Sequence, residues 1–200
     1  MADHNKVERL AVLAEAVNGL TTSPLYAYRQ ENNYHSVFGE GNADADVLFI
    51  GEAPGEQEAK KGRPFVGASG KALDEMLESI GLARKDVYIT NVVKDRPPDN
   101  RDPRPDEIEL YTPFLVQQID IIQPKVIATL GRFAMEFVLA QFGLVQEGQK
   151  ISQLHGRPLE TEAGYGRVTI LPLYHPAVGL YNRGQRQTLE EDFQALQKFL

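Results

Sequence analysis

The chain contains no cysteine. Disulfides, thiolate nucleophiles, cysteine-ligated zinc and the usual iron–sulfur clusters are thereby excluded, while the redox compartment stays undetermined. No apolar run approaches the roughly eighteen residues that a membrane span requires. The first residues, Met1-Ala2-Asp3-His4-Asn5, lack the basic start and apolar core of a secretion signal, so the expectation is a cytoplasmic protein with no membrane partner. An excess of basic residues is also missing. Lys and Arg number 21 against 28 Asp and Glu, and the net charge of -7 argues against a nonspecific coat for nucleic acid. Phosphate-binding loops are absent too: Gly62 and Gly67 have Walker spacing, but Ala68 follows where lysine is required and Lys71 comes three residues late. There is no dinucleotide-type GxGxxG, internal repeat, low-complexity tract or linker.

What is present is apolar residue content of 42% in 200 residues, enough for one compact domain with a substantial core. Apolar residues at Val7, Leu10, Leu13, Ala14 and Val17 predict a first helix ending at Gly19. A polar, irregular stretch follows through Asn42. Strands are predicted at Val47–Ile50, Val87–Thr90, Lys125–Leu130 and Arg167–Leu171. Helical patterns separate or follow them at Lys71–Ile80, Asp106–Ile122, Gly131–Phe142 and Thr188–Leu200. Alternation of this kind implies right-handed crossovers, hence a three-layer α/β/α sandwich around a mostly parallel four-stranded sheet.

The stretch that organises the rest runs from Val47 to Leu77: a strand, a long loop rich in glycine, then a helix. Long loops inside compact domains are usually functional. A turn with Ser69 capping the helix accounts for the glycines but not for Glu52, Glu58 and Phe65. In a parallel sheet, ligands bind where loops leave the carboxyl ends of strands. Glu52, Asn91, Gly131 and His175 each follow a predicted strand, so residues far apart in sequence converge on one rim. Charge is also uneven. Residues 1–59 hold three basic and ten acidic side chains, while Lys60, Lys61, Arg63, Lys71, Lys94, Arg96, Arg101 and Arg104 gather in two loop regions.

Five motifs in order, Gly51-Glu52-Ala53-Pro54-Gly55, Arg63-Pro64-Phe65-Val66-Gly67, Thr90-Asn91-Val92-Val93-Lys94, Arg96-Pro97-Pro98-Asp99-Asn100-Arg101 and His175-Pro176-Ala177, together resemble a uracil-DNA glycosylase of the family-4 type. The resemblance covers roughly residues 20–200. It implies a monofunctional enzyme that flips uracil from uracil-containing DNA and hydrolyses its glycosidic bond with no cofactor and no metal. The alternative is a weakly active or noncatalytic relative. Phe65 is then the stacking face, beside Gly51, Ala53 and Gly55, and Asn91 reads the uracil edge with one donor and one acceptor. His175 stabilises charge on uracil O2. Glu52 or Glu58 positions water or the sugar cation. Ser69, Lys71, Arg101 and Arg183 are assigned to DNA, with Val178, Leu180 or Tyr181 as a wedge behind the flipped base. His155 is a weaker candidate, structural or near DNA. Ala53 stands where better-known relatives carry a water-orienting Asp, and Gly55 where they carry a bulky side chain that excludes thymine. The family-4 type also carries an iron–sulfur cluster on four cysteines. The matching positions here are Leu20, Ser23, Asp95 and Tyr111, expected to hold the N-terminal segment by direct contact in a monomeric, metal-free protein, with Leu20 and Tyr111 as apolar partners and Ser23 and Asp95 hydrogen-bonded.

Overall fold

The structure, a computed structural model, describes residues 3–145 and 150–200. Helix α1 (Asp3–Asn18) begins earlier than its apolar periodicity and packs on the body through Leu10 and Val17. The stretch expected to be irregular contains α2 (Tyr26–Glu31) and a two-residue strand, β1 (Glu40–Gly41). Then come β2 (Val47–Gly51), α3 (Glu56–Lys61), α4 (Ala68–Ser79), β3 (Tyr88–Asn91) and α5 (Pro105–Ile122). The chain continues with β4 (Val126–Leu130), α6 (Arg132–Gln141), α7 (Ile151–Leu154), β5 (Leu159–Ala163), β6 (Gly166–Leu173), α8 (Val178–Tyr181) and α9 (Arg183–Gln197).

The sheet has six strands in the order β1-β3-β2-β4-β6-β5, rather than the four expected. The four predicted strands form its parallel centre. Both additions are antiparallel edges. Strand β1 is too short to carry a pattern. In β5 exposed Glu160 and Glu162 alternate with half-buried neighbours, the polar habit of an edge strand, which reads as loop.

Alternation along β2 sends Leu48 and Ile50 to one face, with Ile127, Ile170, and the buried sides of α1, α5 and α6. Val47 and Phe49 go to the other, with Ala128, Leu171, Leu73 of α4 and Phe193 of α9. Both faces of the sheet are therefore covered, as parallel sheets require. Helix boundaries follow local chemistry. Pro105 opens α5 while Glu107 accepts from the Arg104 amide, and Gln123 closes it at φ 57 before Pro124.

The N-terminal segment is fastened by a buried polar cluster at the cysteine-equivalent positions. The hydroxyls of Ser23 and Tyr111 are 2.9 Å apart, and Tyr111 donates to Asp95 Oδ2 at 2.7 Å. Arg29 donates to both Asp95 oxygens at 3.1 and 3.3 Å and to the Asn18 carbonyl at 2.8 Å. Burial pushes the Asp95 carboxyl up, while Tyr111 and Arg29 pull it down. Tyr111 packs its ring into the core as expected and its hydroxyl is in addition the polar hub, while Leu20 packs against the edge of the same core. The donor set has no thiolate, and its hydroxyl and carboxylate oxygens are committed to one another. These residues do not fit an iron–sulfur cluster.

Candidate active site

The loops at the carboxyl ends of β2, β3 and β6 enclose a cleft of roughly 510 Å³. Phe65 and Asn91 form its back wall. Gly51 allows this, because a Cβ there would lie 2.4 Å from Asn91 Oδ1 and 2.7 Å from the Phe65 ring. Asn91 is 1% exposed, and its Oδ1 has no hydrogen-bond partner among the described residues. A buried, unpaired carbonyl costs about 1–3 kcal/mol. Its placement in the cleft wall means that a ligand N–H can recover that cost.

Phe65 has φ 50, a conformation unfavourable for a bulky residue. Several contacts impose it. Arg84 donates to the carbonyls of Pro64 and Phe65 at 2.7 and 3.0 Å, and is itself paired with Glu40 and Asp74. Glu58 Oε1 accepts the amides of Val66 and Gly67, each at 2.8 Å. At Gly70 a Cβ would sit 1.8 Å from the Phe65 carbonyl oxygen. The sequence suggests few packing neighbours for Phe65. In fact Phe65 is only 6% exposed, and it both belongs to the core beneath α4 and lines the cleft.

His175 faces Phe65, with ring centroids 5.8 Å apart. The Ala177 amide donates to its Nδ1 at 3.2 Å, so the neutral ring carries its proton on Nε2. Burial lowers the imidazole's proton affinity and Glu58 opposes this. A neutral donor is the result. Glu52 also lines the cleft, and its carboxylate has no hydrogen-bond or ion-pair partner among the described residues. Burial pushes its carboxyl up, Asp102 adds to that, and Arg132 opposes it. Of the two carboxylates, Glu52 is therefore the freer. Glu58 Oε1 is spent on the Phe65 loop, and Oε2 lies so close to Gly55 that a Cβ there would be 2.7 Å away. Ala53 lines the cleft and packs on the core.

The residues assigned to DNA divide. Ser69 and Leu180 line the cleft, and Leu180 is 42% exposed at its edge. Val178 is half-buried and Lys71 is exposed on α4; neither lines the cleft. The side chains of Tyr181 and Arg183 lie outside the described residues, although their backbones belong to α8 and α9. Arg101 lines the cleft but is bidentate to Glu107 at 2.9 and 2.6 Å. The expected basic cluster is largely consumed internally: Lys60 pairs with Glu56, Arg63 with Glu40, and Arg96 bonds Tyr28 and Tyr34. Lys94 is fully buried. His155 proves structural in its contacts, with Nδ1 2.8 Å from Asp192 and its ring against Tyr174 at 4.4 Å. Arg84 and Gln118 were not anticipated; a helix glutamine and a turn arginine carry no sequence signal of what they touch.

An aromatic wall, an unpaired amide and a neutral imidazole at one strand-end rim make a site for a planar, hydrogen-bonding ring. Comparison with known proteins gives that class its family. Residues 38–199 match the family model of the Uracil DNA glycosylase superfamily. Three similar proteins are the type-4 uracil-DNA glycosylases of Archaeoglobus fulgidus, Sulfurisphaera tokodaii and Saccharolobus solfataricus. The first is 48% identical over 84% of this chain and 83% of its own length. The second is 42% identical over 96% and 85%, and the third 41% over 97% and 88%. The chain belongs to the uracil DNA glycosylase superfamily.

Proposed function

We propose that this protein excises uracil from DNA, breaking the bond between uracil N1 and the sugar C1′ and leaving an abasic site. The observation that carries this reading is the buried, unpartnered Oδ1 of Asn91, a residue that lines the cleft together with Phe65. Uracil presents adjacent N3–H and O4 groups, which the Asn91 carbonyl and amide would accept from and donate to; cytosine presents the opposite pattern. The extruded base stacks on Phe65.

As the bond breaks, its electron pair goes to the base, and negative charge grows on N1 and O2. His175 donates from Nε2 toward O2 and stabilises that charge without itself needing to be protonated. Water attacks C1′ from the sugar side and its oxygen becomes the new hydroxyl. Glu52, free of partners, orients the water, and the released proton reaches the uracil anion through solvent. Glu58 keeps the Phe65 loop in place and tunes His175. The exposed edge at Leu180 suits insertion behind the flipped base. Gly55 leaves the region near C5 open, so thymine is excluded less strictly than by a bulky residue.

The protein is further proposed to act as a cytoplasmic monomer, requiring no metal. No helix among the described residues is long and apolar enough to cross a membrane. Excision is tested by incubating purified protein with labelled oligonucleotides bearing uracil, hypoxanthine or a thymine mismatch, followed by alkaline cleavage. Free uracil with an abasic strand is expected; binding without release would identify a noncatalytic relative.

A further inference from the structure

Behind the cleft, Lys94 is 0% exposed. Its Nζ lies 2.7 Å from Thr90 Oγ1 and 2.8 Å from the Asn91 main-chain oxygen, and it also contacts Gln118 Oε1. The identity of each partner as donor or acceptor follows from its other bonds. Gln118 Nε2 donates to the Phe38 carbonyl at 3.0 Å, which turns its oxygen toward the lysine. Thr90 Oγ1 has the Phe38 carbonyl at 2.7 Å and Gln118 Oε1 at 3.4 Å; both are acceptors, so its one proton goes to one of them and its lone pair faces Lys94. The Asn91 carbonyl can only accept.

Three acceptors therefore require three Nζ hydrogens. The ammonium form supplies them while Thr90 keeps its 2.7 Å bond to the Phe38 carbonyl; a neutral amine would need the Thr90 proton turned onto Nζ and that bond given up. Desolvation pulls Lys94 well below the ordinary lysine value. The directional bonds oppose that pull, and no carboxylate is among the partners. Phe38 adds a ring face 5.5 Å from Nζ.

We infer that Lys94 is a buried, charged positioning residue that anchors Asn91 from behind and supplies positive potential to the cleft, favouring the uracil anion as it leaves. This rests on the proposed reading of the cleft as a uracil site. A cation kept out of water acts over several ångströms with little screening, and its direction is set before the reaction starts. Its dipolar partners leave most of its charge unneutralised, unlike the ion pairs elsewhere in this chain.

The test is to neutralise that charge without moving it. Gln118→Glu keeps the oxygen that accepts from Lys94 and adds a negative charge beside it. Lys94→Met removes the charge and the anchor together. Single-turnover excision is measured for both variants and the parent on oligonucleotides carrying deoxyuridine or 5-fluorodeoxyuridine, with folding checked by thermal melts. 5-Fluorouracil forms a more stable anion and so depends less on help from the protein. For Gln118→Glu the uracil rate is expected to fall about tenfold or more with half-saturation nearly unchanged, and the 5-fluorouracil-to-uracil rate ratio to rise. Lys94→Met should show the same rise in ratio with a larger loss. If Lys94→Met fails to fold, Gln118→Glu alone decides. Unchanged rates, or equal losses on both substrates, would overturn the inference. A parent protein that releases no uracil would instead defeat the functional reading, so the two failures are distinct.

Discussion

Asn91 and Asp95 stand four residues apart, and each is 1% exposed. Asp95 accepts from Arg29 at both oxygens and from Tyr111. Asn91 Oδ1 accepts from nothing among the described residues. One buried polar group is saturated and the other is left open, within the stretch where β3 runs into its loop. Burial without satisfaction is costly; Thr129 Oγ1 in β4 is also buried and unpaired, but of these two residues Asn91 alone lines the cleft, where a ligand can complete it. The saturated cluster fastens the N-terminal segment to the body, and the open group belongs to a residue that lines the cleft. The difference separates the residues that hold this molecule together from those that act.

The largest effect should come from emptying the open cluster. His175→Ala and Asn91→Ala are each expected to slow uracil excision by about 100 to 1000-fold while melting close to the parent. Loss of fold in either would erase the distinction. Arg29→Ala should do the reverse. It leaves Asp95 buried without its cation, a cost of about 3–5 kcal/mol by denaturant unfolding, with single-turnover excision near normal at low temperature. Tyr111→Phe removes one hydroxyl from the saturated cluster and should cost about 1–3 kcal/mol, again with little effect on excision.

A smaller effect concerns pH. The folded value of His175 is lowered, so below the ordinary imidazole value of 6.5 the unfolded chain takes up the proton first. Stability should therefore fall as pH drops through that value, and the loss should level off below the folded one. His175→Gln should flatten that part of the melting profile. Smallest of all is the response to salt. Because Lys60, Arg63 and Arg101 are already paired, the log–log slope for DNA binding should be no steeper than about -3.

Much of this arrangement was legible in the sequence. Val47-Leu48-Phe49-Ile50 is a continuous apolar run and its three counterparts are largely apolar, as strands buried on both faces tend to be, and their ends located Glu52, Asn91 and His175 on one rim. The edges were not legible. Strand β5 is half acidic, and β1 is held by tertiary contacts at Glu40 that no local pattern announces. Charges misled most. Lys94 reads as a surface cation until Thr90, Gln118 and the Asn91 carbonyl surround it, and Tyr111 reads as core until Ser23 and Asp95 are brought to its hydroxyl. In each case at least one deciding partner lies more than fifteen positions away along the chain: Gln118 for Lys94, Ser23 and Asp95 for Tyr111.

The account's central claim is that Asn91 is left open because the substrate base closes it. The direct measurement is single-turnover excision by Asn91→Asp on matched oligonucleotides carrying uracil or cytosine. A carboxylate offers no donor to O4 and only acceptors to the ring edge. The preference for uracil over cytosine is expected to collapse, chiefly through slower uracil release. A variant that discriminates between the two bases as sharply as the parent would contradict the account.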